Sequence, residues 1–519
     1  MICVKLTGHD FKYQVEDVTK LFFYNEDIAY VDEFPADLKG IFVLIRISRA
    51  DGSLSEDNEN GLDDGKIYIE LWCDGINIYN SDNNFGSVST PRDMCSRDDI
   101  GFMYDSPIKK HFHKKKIKME LKRQLYLAFK FLTGKSMPWG ILTGIRPAKI
   151  VHEMLEMSCT EDSISDSLKG YYMVKEDKAE VLLNVAKKEK EILDLASPNS
   201  VSIYIGIPFC TTRCLYCSFT SNPIASSSDI VKKYMDALMV EMEKTASIIN
   251  RNGWNVQSIY IGGGTPTSID EDSLSRLLSF VGSTFDTGNL EEFTLEAGRP
   301  DSLNIDKLRI IKASRVDRIS INPQSMNDEV LKAIGRNHTA GDIEWAFGKA
   351  REIGFDNINM DIIAGLPGET AQMFNKSLER IIKLCPDSLT VHTLSIKRGS
   401  RLIDDKTSHT DISSSEIEEM VGAAAGYAYR MGMKPYYLYR QKNILGNMEN
   451  IGYCTEGNES IYNIQIMEEK QPIIAMGAGA VTKMVYPEEN RIERVFNVKS
   501  VDEYILRIDE MVARKEAMM

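Results

Sequence analysis

Cys210, Cys214 and Cys217 stand at CxxxCxxC spacing just after a short apolar run, Val201 to Ile207, that ends at Pro208. The alternation and β-branched residues of that run predict a strand, so the cysteines fall on the loop leaving its C-terminal end. Three thiolates on one tight loop converge on a point, which suits an iron–sulfur cluster better than a packed core. A disulfide accounts for them poorly, because three is odd and the spacing is short. A zinc ion would need a fourth ligand, and no nearby Cys or His supplies it.

The cysteine strand is the first of six strand-like runs: Val201–Ile207, Gln257–Ile261, Glu292–Ala297, Asp317–Ile321, Asn357–Ile362 and Asp387–Leu394. Amphipathic helices separate them. Ser268 with Glu271 forms a capping-box pattern ahead of Leu274, Leu277, Leu278 and Val281, with Gly282 as the stop. Thr339 with Asp342 opens another helix, carrying Ile343, Phe347, Ala350 and Ile353 before Gly354. Repeated βα units predict an α/β fold with a parallel sheet, helices outside and a site at the C-terminal strand ends.

Unusual residues do fall at those ends. After the second run comes Gly262-Gly263-Gly264-Thr265, which lets backbone approach a ligand and offer it N–H groups; a tight turn is the plainer reading. The third run ends in Glu296, a carboxylate that must pair with a cation or bind something. Asn322-Pro323-Gln324-Ser325 follows the fourth run, and the fifth carries Asp361.

A chain of 519 residues exceeds one ordinary domain. The expected division is a small α+β domain over residues 1–110, a helical connection over 111–199, the βα repeat over 200–401 and a mostly helical C-terminal cap over 402–519. In the first, Ile41–Ile47 and Lys66–Trp72 read as strands around an acidic turn region, Asp51 to Gly65, and His9 as a surface residue. His111 and His113 stand two apart and would not share a helix face for a metal. In the cap, Tyr436 to Lys442 interleaves aromatic residues with cations, as a cover over an anionic macrocycle would need. Arg398, Arg401, Arg440 and Lys442 are candidates, by position, to meet carboxylates. A net charge of −14 argues against nucleic acid as a partner. No apolar run approaches the ~18 residues of a membrane span, no signal-peptide pattern opens the chain, and nine cysteines read as reduced thiols. The expectation is a soluble, cytoplasmic protein.

The string YIGIPFCTTRCLYCSF resembles the radical S-adenosylmethionine (SAM) enzymes, and within them the oxygen-independent coproporphyrinogen III oxidase family, most closely its HemZ-type branch. The resemblance implies an incomplete (β/α)6 barrel, with an N-terminal α+β and helical extension. It also implies a [4Fe–4S] cluster held by Cys210, Cys214 and Cys217. An open iron of that cluster chelates SAM, whose reductive cleavage gives a 5′-deoxyadenosyl radical. Tyr204, Tyr216, Gly263 and Glu296 match family contacts to that SAM. Gly264, Thr265, Gln324, Arg336 and Asp361 match contacts to a second SAM molecule. The implied reaction is oxidative decarboxylation of two propionates of coproporphyrinogen III, giving protoporphyrinogen IX in haem biosynthesis, with a low-potential electron donor and an electron acceptor as further partners.

Two features depart from the family. Ser218 stands where the well-known oxidases carry a fourth, non-ligating cysteine. The haem-chaperone relatives, HemW, also lack it, but their HNxxYW signature is not found here; the nearest string is Tyr462-Asn463-Ile464-Gln465. A haem chaperone, or a radical SAM enzyme acting on another tetrapyrrole, is therefore the alternative.

Overall fold

The computed structural model describes residues 1–24, 26–34, 39–49, 65–74, 76–84, 107–219, 221–224, 228–397, 399–403, 412–442, 444–486, 489 and 491–519. The acidic turn region falls almost wholly outside these, as do the side chains of His111 and His113. The chain divides into two compact units, Met1–Leu183 and Asn184–Met519.

The first unit is built on five strands, β1 (Ile2–Thr7), β2 (Ile28–Tyr30), β3 (Ile41–Arg49), β4 (Gly65–Cys73) and β5 (Ile76–Asn84), in the order β2-β1-β3-β4-β5. Alternate residues of β3 and β4, among them Val43, Ile45, Ile67 and Ile69, are buried against helices α1 (Lys12–Phe22) and α2 (Pro107–Thr133). Leu121, Leu125 and Phe129 recur at helical spacing on α2 and fill that core. Helices α3 (Ala148–Glu156), α4 (Glu161–Asp166) and α5 (Glu176–Leu195) follow. His9 is half-buried rather than at the surface: its Nδ1 accepts from the Phe11 amide at 3.1 Å, and burial lowers its pKa to about 4. Cys3 and Cys73 are free thiols but Cys159 is disulfide-bonded, against the expectation of reduced thiols throughout.

The second unit carries the βα repeat. Its strands are β6 (Ser200–Ile207), β7 (Phe209–Cys210), β8 (Asn222–Pro223), β9 (Asn255–Gly263), β10 (Glu292–Glu296), β11 (Arg318–Ser320), β12 (Asn357–Ala364), β13 (Ser388–Thr393), β14 (Lys434–Tyr439), β15 (Asn450–Cys454), β16 (Ile473–Met476), β17 (Val481–Tyr486) and β18 (Arg491–Phe496). Its helices are α6 (Ser228–Arg251), α7 (Glu271–Thr284), α8 (Ile305–Ala313), α9 (Asp328–Ala333), α10 (Ala340–Ile353), α11 (Ala371–Leu384), α12 (Ser414–Arg430), α13 (Ile461–Glu468), α14 (Val501–Leu506) and α15 (Ile508–Glu516).

Every one of the six expected strands forms, and they lie parallel in the order β13-β12-β11-β10-β9-β6. Both faces of such strands are covered, which is why they read as near-continuous apolar runs. The sheet begins at β14 and ends at β18, so the barrel is open, as expected. Among the described residues the C-terminal region holds four α-helices, and its strands extend the sheet at both edges. There β16 adds a seventh parallel strand beside β6, pairing Ile473 with Ser202 and Met476 with Ile205. On the far side β15 and β14 continue antiparallel from β13.

Helix ends follow side-chain chemistry, with one correction. Asp270, not Ser268, caps α7, accepting from the Ser273 amide at 2.7 Å; Ser268 lies in a short 3₁₀ turn, and Gly282 is inside the helix. The Thr339–Asp342 capping box on α10 forms as read, and Gly354 ends it in the left-handed conformation.

Candidate active site

Strand β6 delivers the chain to Pro208, and the cysteine loop turns outward at the C-terminal end of the sheet. Phe209–Cys210 pairs with Asn222–Pro223 across it, and the Leu215 amide donates to the Ile334 carbonyl at 2.9 Å. Cys210 and Cys214 are buried, Cys217 partly so, and all are free thiols. The Thr265 hydroxyl donates to the Cys210 sulfur and the Arg299 guanidinium to the Cys214 sulfur, each at 3.6 Å. Burial pushes the Cys210 and Cys217 thiols up, and the neighbouring sulfurs push the same way. Such thiols ionise when a cation binds them.

This donor set fits a cluster better than a single ion. A tetrahedral zinc, with Zn–S bonds of about 2.3 Å, draws its sulfurs to about 3.8 Å of one another. The three sulfurs here are not gathered within 4.8 Å of one another.

Beside the loop, backbone crowding explains the glycines. A Cβ on Gly264 would lie 2.4 Å from the Phe209 carbonyl oxygen and 3.0 Å from the Cys210 sulfur. Gly263 has φ +111°, a conformation that side chains rarely adopt. The tight-turn reading alone does not account for this close approach.

Glu296 has no cation partner among the described residues. It accepts from the Tyr260 hydroxyl at 2.6 Å, and burial raises its pKa to about 7. Tyr260 is stacked on Tyr462 of α13, ring centroids 4.5 Å apart, and Tyr204 stacks near both. Gln324 holds φ +65° while its backbone bridges β12, its amide donating to the Asp361 carbonyl at 2.8 Å. Burial alone would raise the Asp361 carboxyl. His392, with Nε2 3.8 Å away, and Asn359, donating at 2.7 Å, hold it below its usual range. Arg336 is buried and donates to the Asn322 carbonyl and, at 3.4 Å, to the Tyr216 hydroxyl.

These groups share one cavity of about 640 Å³ at the C-terminal strand ends. Its lining includes Cys210, Cys214 and Cys217 together with Tyr204, Tyr216, Gly263, Gly264, Thr265, Glu296, Gln324, Arg336 and Asp361. The segment Gly477–Ala480 also reaches it: Gly479 and Ala480 are in the wall, and a Cβ on Gly477 would meet the Gly206 carbonyl oxygen at 2.6 Å.

The carboxylate-binding candidates do not gather there. Arg398 lies outside the described residues, and Arg401, Arg440 and Lys442 do not line the cavity. For Arg440 strand alternation is the reason: Tyr437 and Tyr439 face the cavity, whereas Arg440 is buried on the other side, donating to the Asn447 carbonyl at 3.0 Å. Lys397 lines the cavity instead; no hydrogen bond or ion pair to its ammonium is seen among the described residues, and burial lowers its pKa.

Sequence reasoning also missed Tyr260, Tyr462, Arg299, Asp301 and His338. The last three brace the cysteine loop. Arg299 pairs with Asp301 at 2.8 Å, Thr211 donates to Asp301 at 2.8 Å, and His338 Nδ1 lies 3.5 Å from it. Burial alone would raise the Asp301 carboxyl; His338 and Arg299 hold it well below the carboxylate range. The available signal was position, since Arg299 and Asp301 follow Glu296 on the same loop.

A family model described as the radical SAM superfamily matches residues 204–381. The "oxygen-independent coproporphyrinogen-III oxidase-like protein HemZ" of Bacillus subtilis is 42% identical over 386 residues, 74% of this chain and 77% of that protein. The heme chaperone HemW of the same organism is 38% identical over 197 residues, 38% of this chain and 51% of that protein. Among solved structures, coproporphyrinogen III oxidase (HemN) from Escherichia coli matches with a TM-score of 0.50 and 22% identity, covering 63% of this chain and 73% of that one, a likeness of fold.

Proposed function

From the premise that this chain belongs to the radical SAM superfamily, in its HemZ-type, oxygen-independent coproporphyrinogen III oxidase-like family, we propose that it decarboxylates coproporphyrinogen III oxidatively to protoporphyrinogen IX. Its cofactors are a [4Fe–4S] cluster and SAM. The observation that carries the reading is the single cavity in which the cysteine loop, the glycine turn, Glu296 and two tyrosine groups meet.

When bound, the cluster and SAM would supply one-electron reduction and the abstraction of a hydrogen atom from a propionate. The chain's own residues bind and orient. Cys210, Cys214 and Cys217 would hold the cluster. Gly263, Glu296, Tyr204 and Tyr216 would hold the SAM, with Glu296 as an acceptor for N–H donors. Gly264, Thr265, Gln324, Arg336 and Asp361 serve a second SAM. The stacked pair Tyr437 and Tyr439, 6.3 Å apart, gives a flat wall for a macrocycle, and Lys397 a cation for one of its carboxylates. An ammonium half-withdrawn from water with no partner gains most from an anion. Each side chain converted loses one hydrogen atom, carbon dioxide and one electron, the last to an acceptor.

A haem chaperone is the second reading, favoured by the similarity to HemW. Coproporphyrinogen III deuterated on its propionate side chains separates the two. The oxidase returns deuterium in 5′-deoxyadenosine. A chaperone binds haem stoichiometrically and leaves the deuterium in place, and that result would reject the oxidase.

A further inference from the structure

We propose that Arg299 is a positioning residue that raises the reduction potential of the cluster through one N–H directed at the sulfur of Cys214. The proposal rests on reading Cys210, Cys214 and Cys217 as the cluster ligands.

The Arg299 side chain is 4% exposed, and each of its guanidinium nitrogens is committed. Nε and Nη2 donate to the two carboxylate oxygens of Asp301 at 2.9 and 2.8 Å. Nη2 also reaches the Thr212 hydroxyl, and Nη1 the Thr212 carbonyl, both at 2.9 Å. The contact left to Nη1 is the Cys214 sulfur at 3.6 Å. A planar fork fixed at both ends cannot swing away from that sulfur, and few other side chains brace a loop and donate to it together.

The electrostatic consequence follows from the change of charge on reduction. One electron enters the cluster, and no proton need accompany it because the guanidinium stays protonated. A donor aimed at a ligand sulfur stabilises the more negative, reduced state more than the oxidised one, so it raises the potential. Burial keeps water from screening the effect. The hydroxyl of Thr265 on Cys210 acts in the same sense, as a neutral and weaker donor. Asp301 offsets the charge of Arg299, so exchanging both residues isolates the N–H···S bond from net charge.

The test is an anaerobic redox titration of the reconstituted full chain with dithionite, followed by electron paramagnetic resonance, after iron and sulfide have been counted. The double variant Arg299→Gln/Asp301→Asn, the single variant Arg299→Lys and Thr265→Val are compared with the parent. The double variant is expected to be reduced about tenfold less favourably at a given potential, a fall of about 59 mV for a one-electron couple. Arg299→Lys should fall less, since it keeps the charge and loses the fork, and Thr265→Val less again. Full clusters with unchanged potentials would overturn the proposal. Loss of the cluster in both Arg299 variants would also overturn it, leaving Arg299 as a brace of the loop. Failure of the underlying reading shows separately: Cys214→Ala would then keep its full iron.

Discussion

Glu296 shows how one buried carboxyl couples binding to pH. Burial places its pKa at about 7, although the Tyr260 hydroxyl donates to it. The protonated form is therefore well populated below neutrality, while N–H donors of a bound amino group favour the ionised form. Binding must then release a proton at pH below about 7. SAM affinity of the cluster-loaded protein should rise with pH, by up to about tenfold per unit, and level off above that pKa. Glu296→Gln should flatten this rise and weaken binding by ~1.5–3 kcal/mol, about one to two decades. It should not lower thermal stability, because burial disfavours the charge that the substitution removes. Titration calorimetry across that pH range, with melting curves, measures both. A large loss of stability with unaltered SAM binding would assign Glu296 to the fold.

At the scale of elements, the loops after the strands carry the chemistry and the strands give the loops their places. Gly264 tests this directly. Adding a methyl group there must displace the Phe209 carbonyl or the Cys210 sulfur, whereas Gly282, inside α7, has open space around its missing Cβ. Gly264→Ala should lose most of its iron while keeping its far-ultraviolet circular dichroism. Gly282→Ala should keep full iron and gain up to ~1 kcal/mol of stability. The βα repeat was legible because its signals are local: apolar runs of strand length, the Thr339–Asp342 box, Gly354. The C-terminal strands were not, since β16 is four residues whose pairing with β6 is fixed by contacts some 270 positions away in sequence. The same holds within the site. The cysteines, glycines and Glu296 announce themselves by type and spacing. Tyr462 and Arg299 act through a ring stack and a sulfur contact that only the folded chain creates. Arg440 misled because position alone made it a candidate, and neighbours along an extended strand point to opposite faces.

Within the second unit as a whole, the C-terminal helices are tied to the barrel through one buried carboxylate. Glu241 of α6 accepts from the Gly477 amide and the Asn497 side chain, each at 2.8 Å, and from Tyr504 and Lys515. Lys515 and Glu241 are almost wholly excluded from water. Lys515→Met leaves that charge uncompensated and should cost ~3–5 kcal/mol in urea unfolding, with Glu241→Gln/Lys515→Met recovering part of the loss. Because Gly477 leads into the cavity wall, the single variant should also weaken SAM binding. Unchanged unfolding would mean that the ion pair is not formed in solution.

Oxidative decarboxylation of coproporphyrinogen III, as proposed for this cavity, changes the mass of the tetrapyrrole. The most direct measurement is mass spectrometry of the tetrapyrrole pool after anaerobic incubation of reduced, cluster-loaded protein with SAM, coproporphyrinogen III and an electron acceptor. 5′-Deoxyadenosine should appear together with a tetrapyrrole lighter by two carboxyl groups and two hydrogens, the change from two propionates to two vinyl groups. Deoxyadenosine formed while coproporphyrinogen III keeps its mass would contradict the proposal.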